Sequence, residues 1–228
     1  MRAGFASPAL AAITLEGLRF AVYLLIALVP NLLVHEYAHA AAAQRLNDRT
    51  ARFYGRLSFP PKEFVDPFGT LILPAFLLVL SAAGISVPVF AYAKPMPRNP
   101  NVLARPTRDT NLIALAGPLA NLAIAILIGL LLRVVGLGAG ELTLLLFAAV
   151  QVSVTFFVFY LMPIPGLDGA LMLGSVLPPR PREVYRNLDQ YLPLWILLIF
   201  FLLGSPVLSF VRVLANAVCQ PISGFECF

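Results

Sequence analysis

Hydrophobic and polar positions in this chain do not alternate. Apolar residues come in long blocks, and the short stretches between them carry most of the charge. The blocks lie at 18–43, 71–92, 111–133, 142–177 and 191–214. About 20 consecutive apolar residues let a helix cross the ~30 Å hydrocarbon layer of a bilayer, so blocks of this length predict membrane helices. Two blocks are interrupted. Gly84 and Pro88 fall within 71–92, and Pro163-Ile164-Pro165-Gly166-Leu167-Asp168-Gly169 breaks 142–177. The pattern predicts an all-α membrane protein of about five to six transmembrane or re-entrant helical segments. The expected organisation is a single integral-membrane domain over 1–228, without internal repeats or low-complexity segments.

Composition agrees. Hydrophobic residues make up 60% of the chain and charged residues 12%, with mean hydropathy +0.87, which leaves no stretch for a soluble second domain. A net charge of +5 raises nucleic-acid binding, but the cations sit in short loops between apolar blocks, as positive-inside topology signals do. Arg45, Arg49, Arg52, Arg56 and Lys62 follow the first block; Lys94, Arg98, Arg105 and Arg108 follow the second; Arg180, Arg182 and Arg186 precede the last. All three loops are therefore expected on the cytoplasmic side. The second block then begins and ends inside, which predicts a re-entrant hairpin over 71–92 with its bend near Gly84 and Pro88. The alternative is a true span with the 94–109 loop outside, against its charge. The expected home is the cell membrane, most readily a bacterial cytoplasmic membrane.

The candidate chemistry lies in the first block: His35-Glu36-Tyr37-Ala38-His39, which uses both histidines of the chain. On a helix, positions i and i+4 share one face, so both imidazoles can reach one metal ion. Glu36 beside them can act as general base toward water, as in H-E-x-x-H metalloproteases. A lone buried histidine is commonly a core residue. Here, though, ionisable groups at membrane depth cost about 2.5–3.5 kcal/mol on insertion scales and mark function. Arg2, the apolar run and Ala38-His39-Ala40 loosely mimic a signal peptide, but the run is long enough to span and more spans follow. A catalytic zinc takes three protein ligands and leaves a position open. Most of the 11 acidic residues fall in loops, at span ends or in the tail; Asp66 and Asp168 do not. Asp168 sits in the Pro/Gly break, a feature tolerated at membrane depth only where protein or a wet cavity satisfies the freed backbone. It is the expected third ligand, with a helix N-cap role as the alternative. Parity of the spans places it at the depth of His35 and His39, in the cytoplasmic half.

Together these residues resemble the site-2 proteases, the intramembrane zinc metalloproteases of peptidase family M50. The likeness is to the compact prokaryotic branch without PDZ or CBS domains. Three blocks carry it: the histidine motif, Gly117-Pro118-Leu119-Ala120-Asn121, and the Pro163–Gly169 break. Asp66-Pro67-Phe68-Gly69-Thr70 and Ala93-Lys94-Pro95-Met96-Pro97 also fit. The resemblance implies three core helices around one Zn2+ per chain, bound by His35, His39 and Asp168, with Glu36 activating water. Its substrate would be a transmembrane protein or peptide, cut within or near the bilayer. One departure stands out. The family's asparagine near the break is replaced by Met162, or by Tyr160 two residues earlier. Asn121 and Gly117 are the candidate substrate-binding positions, with helix packing the competing role for Asn121. The 94–105 loop or the 52–59 stretch could offer an edge to an extended substrate. Two other functions compete: a membrane zinc transporter or metal-binding protein, and a catalytically silent member of the fold. Cys219 and Cys227 are expected outside the cytoplasm, as a disulfide or as two thiols.

Overall fold

The computed structural model describes residues 15–58, 62–82, 91–94, 96–135, 140–188 and 191–224. The protein is an all-α membrane protein. Its α-helices are α1 (Leu15–Arg45), α2 (Thr50–Phe53), α3 (Leu73–Ala82), α4 (Pro106–Val135), α5 (Glu141–Tyr160), α6 (Asp168–Val176), α7 (Pro179–Leu188) and α8 (Leu192–Ser223). Among the described residues, three helical stretches are long and apolar enough to cross a membrane: 22–45 in α1, 106–134 in α4, and all of α5.

These three helices pack on one another in every pairwise combination; α6 lies on α4, and α8 lies on α4 and α5. Inside a bilayer, apolar burial gives helices little reason to associate, so close packing of small residues takes over. The contacts use them freely: Ala27, Ala40, Ala43, Ala114, Ala125 and Ala148 are all buried. A buried polar tie joins α1 to α5. Ser153 Oγ donates to Asn31 Oδ1 at 2.6 Å, and Asn31 Nδ2 donates to its own helix at Ala27 O, 2.9 Å.

Contacts at the helix ends set their directions. Arg19, early in α1, pairs with Glu141 at the start of α5. Arg133, late in α4, donates to Pro221 O in α8 at 2.8 Å. So α1 and α5 begin at the same end of the bundle, and α4, whose end at Val135 is followed closely in the chain by the start of α5 at Glu141, runs opposite to them. The C-terminal half of α1 and the end of α5 therefore share the other end.

A π-helical turn at Pro67–Ile72 leads into α3. Asp66 Oδ1 accepts from Gly69 N at 2.7 Å and opens that turn. Residues 83–90, with Gly84 and Pro88, lie outside the described residues. Beyond them the chain is back beside its entry: Tyr92 N donates to Gly69 O at 3.0 Å and Lys94 N to Phe64 O at 2.8 Å.

Three expectations need correction. The stretch read as a polar loop at 178–190 contains α7. Its prolines sit in the first turn, where a missing N–H leaves nothing unpaired. Arg182 then donates to Gly174 O, Ser175 O and Leu177 O at 3.0, 3.0 and 2.9 Å, closing the carbonyl end of α6. In the 52–59 stretch, whose alternation hinted at an edge, the described residues 52–58 are helix and turn instead: Asp48 Oδ1 accepts from Thr50 N at 3.0 Å at the start of α2. The last helix continues to Ser223, so Cys219 is a buried helical residue rather than part of a tail. Cys227 lies outside the described residues.

Candidate metal centre

Four helices deliver the site. His35, Glu36 and His39 come from α1, Gly117 and Asn121 from α4, Tyr160 from the end of α5, and Asp168 from the start of α6. The i, i+4 spacing puts the two histidine rings on one face, with their Nε2 atoms 3.0 Å apart. Asp168 faces both: Oδ2 lies 3.0 Å from His35 Nε2, and Oδ1 lies 3.2 Å from His39 Nε2. Leu167, not Asp168, holds the N-cap position of α6, and Asp168 is its first helical residue.

That carboxylate reaches the histidines because α5 and α6 turn a tight corner. Gly169 makes it possible, since a Cβ there would collide with the Leu161 and Met162 carbonyls. On the opposite wall, Pro118 has no N–H and crowds the carbonyl four residues back, loosening the hydrogen-bond ladder of α4. Close to it, the Ile113 carbonyl accepts from His39 Nδ1 at 2.7 Å. Asn121, fully buried, places its Nδ2 3.1 Å from His35 Nδ1.

These donors suit zinc. Two imidazole nitrogens and one carboxylate, all within 4.8 Å of one another, form a group able to hold a metal ion, and His/His/carboxylate sets leave a fourth position open. Two features fit an ion between them. Asp168 Oδ2 is buried with His35 Nε2 as its neighbour at 3.0 Å, and an ion shared with that nitrogen would balance the buried carboxylate charge. Gly117 keeps the space clear: a Cβ would press into His39 Nε2 and lie 2.7 Å from His35 Nε2.

Glu36 is half-buried beside the cluster. The backbone N–H of Met96 reaches its carboxyl group. The segment around Met96 is pinned at both ends, by Lys94 N to Phe64 O and by Asn99 N to Asp48 Oδ2 at 2.8 Å. It therefore runs past the site as a fixed wall.

Sequence reading did not assign two contacts. The ring of Tyr160 stacks on His35 with centroids 4.0 Å apart, and Ile113 contributes through its carbonyl, which no sequence pattern marks. Met162, the other occupant of the family's asparagine region, packs instead among Val154, Val158 and Val211. Asn121 touches His35 from behind, and Gly117 stands against both histidines.

The chain is 33% identical over 218 residues to "Putative zinc metalloprotease YwhC" of Bacillus subtilis (strain 168), covering 88% of this chain and 94% of that protein. It is 30% identical over 175 residues to "Putative zinc metalloprotease Rip2" of Mycobacterium tuberculosis (strain H37Rv), covering 75% of this chain and 63% of Rip2. The Rip2 of Mycolicibacterium smegmatis is 30% identical over 190 residues, covering 78% of this chain and 65% of that protein. No family model matches, and no solved structure matches.

Proposed function

The chain belongs to the zinc metalloprotease family of YwhC and Rip2, and from that premise we propose that it is an intramembrane endopeptidase of the site-2 protease type, hydrolysing peptide bonds of transmembrane substrates. One observation carries the reading: His35, His39 and Asp168 converge from apolar helices with Glu36 beside them. Zinc held there would supply a Lewis acid for water and for the scissile carbonyl. Glu36 takes a proton from the attacking water and hands it to the leaving amine nitrogen. The pinned 94–99 segment, whose Met96 N–H reaches Glu36, is the edge against which an extended substrate would lie. A substrate helix must unwind first, because its carbonyls are held in internal hydrogen bonds. Residues 71–92 are a re-entrant hairpin in this reading, supported by the return of Tyr92 to Gly69. The basic loops support a position of the metal centre toward the cytoplasmic side.

The test uses purified protein with a panel of single-span substrates. Wild type should cleave, and chelator should stop it. Glu36→Gln should retain one zinc per chain while cleavage falls by about 10²–10⁴-fold, the usual contribution of a general base. Zinc binding without cleavage by wild type would favour a transporter or a silent relative. Full cleavage by Glu36→Gln at unchanged zinc content would refute the assigned base.

A further inference from the structure

Next to the metal centre lies a cavity of about 290 Å³, lined by one face each of α4 and α6 and by the loop that precedes α4. Thr110 and Ile113 come from α4, Ala170, Leu171 and Gly174 from α6, and Leu103 from the loop. Two of these positions also border the metal centre: the Ile113 carbonyl meets His39 Nδ1, and Ala170 lies two residues beyond Asp168. The 94–99 segment joins the two places. Its Met96 N–H reaches Glu36, Met96 packs against Leu103 and Ile113, and Arg98 lines the cavity.

Gly174 keeps this space open. Glycine within a helix is less stable than alanine, because it has more backbone freedom to lose. Other helical glycines of this chain have a packing reason. A Cβ at Gly117 would meet the histidines, at Gly129 it would meet Ile222, and at Gly169 the Leu161 and Met162 carbonyls. At Gly174 a Cβ would meet nothing within 4 Å, and the residue does not have the left-handed φ that favours glycine. What its missing side chain leaves is room in the cavity wall.

Size and charge narrow the choice of occupant. The volume is close to the ~300 Å³ lower end of small-ligand pockets, which suits one or two large side chains better than a cofactor. Two exposed arginines, Arg98 and Arg182, line the cavity as well, and they raise a lipid phosphate. Arg182, however, already donates to the Gly174, Ser175 and Leu177 carbonyls, and Arg98 is not free either. The rest of the wall is mainly apolar and continuous with the segment that passes Glu36.

We propose that this cavity is a specificity subsite: it receives a bulky apolar side chain from an extended substrate lying along 94–99, and Gly174 sets its depth. Two extended residues rise ~7 Å, the step from Met96 beside Glu36 to Arg98 at the cavity, so the side chain belongs to a residue about two positions from the scissile bond. The inference rests on the protease reading above, but one of its tests needs no proteolysis.

That test is binding. Alanine-rich single-span peptides carry one photoreactive benzoylphenylalanine, moved residue by residue along the span. Illumination with Glu36→Gln protein should attach one of them to residues 98–103, 110–113 or 170–174, as mapped by mass spectrometry. Adding Gly174→Leu should weaken that cross-link at least tenfold at unchanged zinc content, and adding Gly174→Ala should keep it. The second test is cleavage. Wild type should prefer phenylalanine over alanine at the mapped position by at least tenfold in kcat/KM, the discrimination an apolar pocket gives. Gly174→Leu should bring that ratio close to one, whereas a general folding defect would lower both rates and leave the ratio. Leu103→Ala, which deepens the cavity at another wall, should shift the preference toward tryptophan. An unchanged ratio in both variants, or no cross-link to the cavity from any position, would overturn the subsite. Labelling of the same residues by a photoreactive phosphatidylglycerol that the peptide does not displace would assign the cavity to lipid and overturn it too. Cross-linking at the cavity without any cleavage by wild type would bring down the protease reading and leave a peptide-binding cavity standing.

Discussion

Gly117 has no side chain, and the candidate metal centre has room for an ion only because of that. Its backbone passes so close to His35 and His39 that a methyl group would occupy the region between their ligand nitrogens. Gly117→Ala should therefore abolish stoichiometric zinc binding, measured by metal analysis of purified protein, while the overpacking itself costs about 1–3 kcal/mol. One zinc per chain in that variant would mean the helices yield more than their close packing implies. At this scale much was legible. His35, Glu36 and His39 form a motif whose geometry follows from helical spacing alone, and Asp168 stood out as a carboxylate inside a Pro/Gly break. Tyr160 was marked only as a residue standing where the family's asparagine is expected, not as a partner of His35. It is one aromatic among 7 tyrosines and 17 phenylalanines, and only the corner after α5 brings its ring onto His35.

The element that matters most to the ligand set is the corner between α5 and α6. Pro163, Pro165 and the left-handed Gly166 (φ 89°) stop one helix, and Asp168 begins the next. Gly169 lets the two meet. Gly169→Ala should push α6 away from the Leu161 and Met162 carbonyls, carrying Asp168 out of reach of the histidines. Zinc content should fall at least tenfold while the protein stays helical by circular dichroism; normal zinc content would show that the corner has slack. The break was readable because proline and glycine act locally. Helix α7 was not, because its prolines and arginines resemble a loop when judged by polarity. A proline in the first turn is neutral to a helix, and Arg182 turns its charge onto the carbonyls closing α6.

Across the whole molecule, direction decides whether the site assembles at all. With α1 and α5 starting at one end, tied by Arg19 and Glu141, the histidines and the α5–α6 corner arrive at the same depth. Single cysteines at Arg49, Arg98 and Arg182 should accordingly react with an impermeant thiol reagent from the cytoplasmic face, and cysteines at Gly140 and Gly224 from the opposite face. Labelling at Arg98 from the outer face would sink the re-entrant hairpin and make 71–92 a crossing. Loop charges are the ground for that expectation, because lipid forbids arginine in its core and the translocation machinery reads the bias.

The sequence by itself determined the membrane class, the three helices that are long and apolar enough to span, and the chemistry available at the candidate metal centre. Each of these is local: a span needs only length and apolarity, and two histidines four residues apart share a face on any helix. Tertiary structure alone decided which neighbours complete the ligands. Ile113 behind His39, Asn121 behind His35, Tyr160 over the same ring and Gly117 against both come from distant parts of the chain. Their meeting depends on how closely helices of small residues pack and where prolines bend them, and no local periodicity records that.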